Sequence, residues 1–234
     1  MQYEQICSII KEYAIDSERV KDLDIETILQ YGARIMIILL INPLHEFAHA
    51  WSAHKLGDDT AKQAGRLTIS PLAHLDPAGS LLLLLFGFGW AKPVPVNPRN
   101  FKNPSQGMML TAIAGPLSNL AAALVGMIGF QMISGVTQGS SLYYLAILLY
   151  FFIVININLF VFNMIPVPPL DGSRVLTYFL PAQAQIWFMK NQQYFYIVVM
   201  LLMITGLLST PISFIGNLIY RMLAFLTSWI PPVL

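Results

Sequence analysis

The sequence predicts an all-α polytopic membrane protein, and three observations carry that expectation. Hydrophobic residues fill 56% of the 234 positions and charged residues only 11%, against roughly 25% charged in soluble domains. Apolar runs long enough to cross a bilayer recur along the chain. The polar residues inside those runs are few and fall into short patterns. Length alone allows one or two domains, but no low-complexity linker marks off a second. Cys7 is the only cysteine, which excludes a disulfide scaffold. A net charge of +1 with no basic patch argues against nucleic acid as a partner.

Residues 1–28 read as a polar N-terminal segment, with seven acids and three bases among the first 26. No basic stretch leads into a short apolar run and a small-residue cleavage site, so it does not read as a signal peptide. Residues 29–234 read as a single membrane-embedded domain, with its core over 29–175 and C-terminal helices over 190–231. A spanning helix needs roughly 20 apolar residues. The runs 29–54, 107–134, 141–165, 194–210 and 211–231 qualify, with a turn at 138–141 and a break at Ser209-Thr210-Pro211. Ala122, Gly126 and Gly129 suit close helix packing. Pro43 removes a backbone hydrogen bond within the first run.

The run 79–90 is shorter, holds Gly87 and Gly89, and leads into Lys92-Pro93-Val94-Pro95-Val96-Asn97-Pro98. A dozen residues do not span, so it reads as re-entrant or interfacial. Val94 and Val96 alternate with Pro93 and Pro95, a pattern that suits an edge strand or a proline-rich turn. The architecture is therefore about five to six transmembrane helices with a re-entrant or short β-like segment near 79–98. If 79–90 does not cross, the segments 55–76, 91–106 and 166–193 share one side and hold eight bases; the turn at 135–140 holds none. The positive-inside rule then sets those segments in the cytoplasm and the N-terminus outside.

Within the first run, His45-Glu46-Phe47-Ala48-His49 sets two histidines at i and i+4, on one helix face, where both can bind one Zn²⁺. Glu46 lies beside them, suited to accept a proton from water. In lipid such a cluster must face a partner or a hydrated cavity. The alternatives to a metal site are a proton relay, as in a transporter, or a structural polar cluster. Catalytic zinc takes three protein ligands. Asp58 and Asp59 read as solvated turn residues and Asp76 as a loop or cap residue. Asp171, after Pro166, Pro168 and Pro169, is the better third ligand, because broken backbone at membrane depth lines a cavity. His54 faces away from His45 and reads as interfacial. His74 could stand behind the ligands. Asn163 could orient Asp171 or cap backbone groups that the prolines free.

Three separated motifs resemble the site-2 protease family of intramembrane zinc metalloproteases. They are His45-Glu46-x-x-His49, Ala114-Gly115-Pro116-Leu117-Ser118-Asn119, and Asn163 through Leu170-Asp171-Gly172. The resemblance covers about residues 40–175. It implies that one Zn²⁺ is held by His45, His49 and Asp171, with Glu46 as catalytic acid and base. It also implies that Asn119 faces the site and helps hold substrate or the oxyanion. No PDZ-like or nucleotide-sensing stretch is present, so the chain resembles the compact bacterial or archaeal form. The expected activity is hydrolysis of a peptide bond within or near the transmembrane helix of a protein substrate. The expected setting is the plasma membrane, multi-pass, with the active site opening towards the cytoplasm. The oligomeric state stays open.

Overall fold

The computed structural model describes residues 25–87, 89–133, 135 and 141–232. All but the last four residues of the polar segment 1–28 lie outside it, as does most of the turn expected at 138–141. The regular elements among the described residues are helices. They comprise α1 (Ile25–Met36), α2 (Asn42–Lys55), α3 (Pro77–Phe86), α4 (Pro104–Met132), α5 (Ser141–Asn163), α6 (Asp171–Phe179), α7 (Ala182–Lys190), α8 (Gln192–Ile204) and α9 (Ser209–Thr227). Single turns at Thr60–Gln63 and Pro71–His74 sit between α2 and α3.

The expected run 29–54 is helical throughout, but not uniformly. A π-helical turn, Ile37–Ile41, joins α1 to α2, and Asn42 donates its backbone N–H to the Ile37 carbonyl, five residues back. Pro43 follows at once and has no N–H to give. The wider turn lets the helix continue past that missing donor. Arg34, half-buried on α1, donates to the Leu84 carbonyl and, at 3.3 Å, to the Leu85 carbonyl. It thereby satisfies carbonyls that the end of α3 leaves open, a favoured place for a cation.

Helices α4 and α5 are long and apolar enough to cross a membrane. Their packing with α9 forms a core of Ala123, Met127, Ile153, Ile157 and Leu223. Gly126 sits directly against Phe152 and Ile153, close enough that a Cβ would press on both side chains. That close approach lets two spanning helices pack along their length. The expected spans 194–210 and 211–231 appear instead as α8 and α9, which meet at 81°. At 1.5 Å per residue α8 rises about 20 Å, short of a hydrocarbon core of about 30 Å. The two helices make one further span only if the bent pair counts as a unit.

Segment 79–98 contains no strand among the described residues. Asp76 caps α3 by accepting from the Gly79 N–H at 2.8 Å, and Gly87 ends it with φ of 79°. The chain then doubles back. Trp90 returns against Gly79, where any Cβ would collide with its carbonyl and ring, and the Lys92 N–H donates to the His74 carbonyl at 2.9 Å. The two ends of this excursion are therefore neighbours. Residues 91–97 run on as an extended strap without a paired strand.

Asp58 holds the far end of that strap, which corrects its expected role as a solvated turn residue. It has no exposed surface. Its carboxylate accepts from the Asn97 N–H at 2.7 Å, from Asn100 Nδ2 at 2.7 Å, from the Thr60 N–H at 3.0 Å and from the Thr60 hydroxyl. Burial acts to raise its pKa, and these donors outweigh burial and hold the carboxyl below its ordinary value. Asp58→Asn sets an amide N–H against donors that need an acceptor, at a cost of about 1–3 kcal/mol. A depressed folded-state pKa gives stability that is present above the unfolded pKa and lost as pH falls through the folded one. Thermal unfolding in detergent should show Asp58→Asn below wild type at pH 7. The gap should narrow as pH falls below about 4.

Candidate metal centre

His45 and His49 leave α2 one turn apart, and their rings meet edge to face with centroids 4.6 Å apart. Their Nε2 atoms are 3.0 Å from one another, and Asp171 Oδ2 lies 3.2 Å from the first and 3.3 Å from the second. Asp171 reaches them from the first turn of α6, where a carboxylate suits the helix dipole. Gly172 makes that placement possible, since a Cβ there would collide with the backbone of Met164 and Ile165.

The outer ring nitrogens decide what the inner ones can be. His49 Nδ1 donates to the Thr111 carbonyl at 2.7 Å and His45 Nδ1 to Asn119 Oδ1 at 2.6 Å. In neutral imidazoles both Nε2 atoms then carry lone pairs, aimed at each other and at a carboxylate oxygen. Three acceptors this close repel unless a cation lies among them. Around a tetrahedral ion with bonds of about 2.0–2.2 Å, neighbouring donors lie about 3.3–3.6 Å apart. The observed spacings of 3.0–3.3 Å lie at and just below the short end of that range, and His45, His49 and Asp171 are positioned to bind a metal ion.

The cluster opens on a cavity of about 530 Å³ bounded by α2, α4, the end of α5, α8 and the strap. Glu46 lines it, and its Oε2 accepts from the Val94 N–H at 3.0 Å. Asn163 also lines it, but its Nδ2 donates to the Leu159 carbonyl at 3.0 Å, within its own helix. Asn119 is 1% exposed and lies behind His45, away from the cavity lining. Its amide oxygen grips a histidine. His74 is buried under the strap, with Nε2 donating to the Thr68 carbonyl at 2.7 Å, and takes no part in the metal cluster. His54 pairs with Asp59 at the end of α2. Two contributors escape sequence reasoning. One is Thr111, which acts through its backbone. The other is Asn156, which accepts from Asn119 Nδ2 at 3.2 Å. Its only signal is that it is one of three asparagines, with Asn158 and Asn163, in an otherwise strongly apolar helix.

Gly115 lets α4 press against the site, since a Cβ there would overlap the rings of both His49 and His45. Asp171→Ala should lower zinc occupancy by removing a ligand, and Gly115→Ala should lower it while leaving every ligand in place. Metal content of the purified proteins, set beside wild type, reads both changes. Full occupancy of Asp171→Ala would remove this carboxylate from the ligand set.

A sequence model of Peptidase family M50 matches residues 137–206. Over 182 residues the chain is 40% identical to YwhC of Bacillus subtilis, a zinc metalloprotease by name, covering 74% of this chain and 81% of that protein. It is 27% identical over 191 residues to Rip2 of Mycolicibacterium smegmatis, another zinc metalloprotease by name, covering 76% and 70%. MJ0611 of Methanocaldococcus jannaschii, named likewise, is 37% identical over 99 residues, 42% of this chain and 48% of that one. No solved structure matches. Two histidines and an aspartate positioned to bind a cation, on a chain so similar to these relatives, lead to one conclusion: the protein belongs to peptidase family M50, the site-2 proteases, and is a zinc metalloprotease.

Proposed function

We propose that the protein is an intramembrane endopeptidase that hydrolyses a peptide bond within or near the transmembrane helix of another membrane protein. The observation that carries this reading is a carboxylate, Glu46, beside the His45–His49–Asp171 cluster in a cavity between apolar helices. Zinc held by these three residues supplies a Lewis acid that acidifies water and draws charge from a carbonyl. Glu46 Oε accepts the proton from the attacking water and returns it to the leaving amine. His45 and His49 keep their Nδ1 protons on Asn119 and Thr111, so neither imidazole competes for that proton. Asn119 serves the reaction from behind His45. Asn163 lines the cavity wall with its amide tied to the Leu159 carbonyl of its own helix.

The membrane setting belongs to the same proposal. The helical stretch through 25–55, α4 and α5 cross the bilayer, and the bent pair of α8 and α9 makes one further span. Segment 79–90 re-enters and leaves on the side it came from. The contact of Trp90 with Gly79 supports that course, as does an α3 rise of about 15 Å. The eight bases on one side support an orientation with the cavity towards the cytoplasm and the N-terminus outside, and the proposed setting is a bacterial or archaeal plasma membrane.

Glu46→Gln keeps the ligands and removes the base. The variant should hold zinc at wild-type content and lose cleavage of a single-span reporter protein in proteoliposomes by at least two orders of magnitude. Hydrolysis at the wild-type rate by a zinc-loaded Glu46→Gln protein would end the mechanism. In a Cys7→Ser background, Lys62→Cys and Lys102→Cys should both be labelled only from inside, and Gln138→Cys from outside. Opposite labelling of positions 62 and 102 would make 79–90 a full span.

A further inference from the structure

The two zinc-binding histidines are oriented by different means, and the difference points to an unassigned residue. His49 Nδ1 faces the Thr111 carbonyl, a backbone oxygen that can only accept, so its proton has one place to be. His45 Nδ1 faces a side-chain amide, Asn119, which could turn over and present its NH₂. Turned over, it would force the His45 proton onto Nε2, into the cluster, and that nitrogen could no longer ligate. Something must fix which way the Asn119 amide points.

We propose that Asn156 does so, as a positioning residue that sets the tautomer of His45 through Asn119. The chain of assignments begins at a group without choice. Asn156 Nδ2 donates to the Phe152 carbonyl of its own helix at 2.8 Å, and that carbonyl can only accept. Asn156 therefore presents Oδ1 to Asn119, whose Nδ2 donates to it at 3.2 Å. Asn119 is left to present Oδ1 to His45, which donates from Nδ1 at 2.6 Å. Each amide has one orientation that satisfies both neighbours, so the polarity of a backbone carbonyl on α5 passes through two side chains to a metal ligand on α2. Both asparagines are 1% exposed, so water is not at hand to substitute for either. A turned-over amide would leave a buried donor facing a donor, and this is what locks the series.

The inference rests on the zinc reading, and the experiment separates the two. Zinc affinity is measured by chelator competition on the full-length protein in detergent, with thermal unfolding to confirm the fold. Asn156→Leu should weaken zinc binding by on the order of tenfold, as loss of a partner behind a metal-bound histidine does. Asn119→Asp offers an acceptor whichever way it turns, so adding it to Asn156→Leu should restore affinity. A role of Asn156 in helix packing alone predicts no such rescue. If Asn156→Leu does not fold, Asn156→Ala takes its place in both comparisons. Wild-type affinity in the variant lacking the amide, or failure of Asn119→Asp to restore it, would overturn the proposal. A wild-type protein that binds no zinc would instead overturn the metal reading itself.

Discussion

Three electron-rich atoms within 3.3 Å of one another, inside an apolar protein, are the constraint on which the rest of this structure depends. Without a cation among them, two imidazole lone pairs and a carboxylate repel. The fold must hold that repulsion against relaxation. It does so from outside the cluster, where every fixed partner of the histidines is an acceptor: the Thr111 carbonyl for one and the Asn119 amide oxygen for the other. Ring protons are drawn outwards and lone pairs inwards. The site is thus organised for a metal by groups that never touch one.

Close backbone approach is what brings those groups within reach. Gly115 lets α4 lie against both imidazoles, Gly172 lets α6 begin against the end of α5, and Gly126 seats α4 on α5. At each of these positions a side chain would displace a neighbour. The π turn before Pro43 serves the same end by a different route. It keeps α2 continuous with α1 through a residue that cannot donate, so His45 and His49 sit on an uninterrupted helix just beyond it.

What was legible in the sequence divides along a physical line. Periodic signals survive in a single chain: His45 and His49 at a helical interval, and apolar runs that became α4 and α5. Asp171 was found because so few acids compete for the role and because three prolines break the backbone beside it. The misreadings concern groups defined by distant partners. Asp58 resembles any aspartate after glycine, and only the fold reveals that residues 97 and 100 donate to it. The grip of Asn119 on His45 was equally hidden, because the motif gives its face of the helix but not its partner. The C-terminal runs looked like two full spans because hydropathy does not register an 81° bend.

The strap from residue 91 to residue 100 ties these themes together. Its proline pattern leaves few N–H groups, since Pro93, Pro95 and Pro98 have none. Of those that remain, Lys92 donates to the His74 carbonyl, Val94 to Glu46 and Asn97 to Asp58. Arg66 grips the Lys92 carbonyl between them. A short segment is thereby fixed at both ends, on loop residues that do not belong to the metal cluster. Its middle is held to the one carboxylate in the cavity that does not ligate. The position of Glu46 relative to the metal ligands is accordingly set by two bodies, α2 through the backbone and the strap through Val94. An isolated glutamate in an apolar cavity would turn to whichever cation or donor lay nearest. With Val94 donating to one oxygen, the carboxylate is anchored to the strap as well as to its own helix.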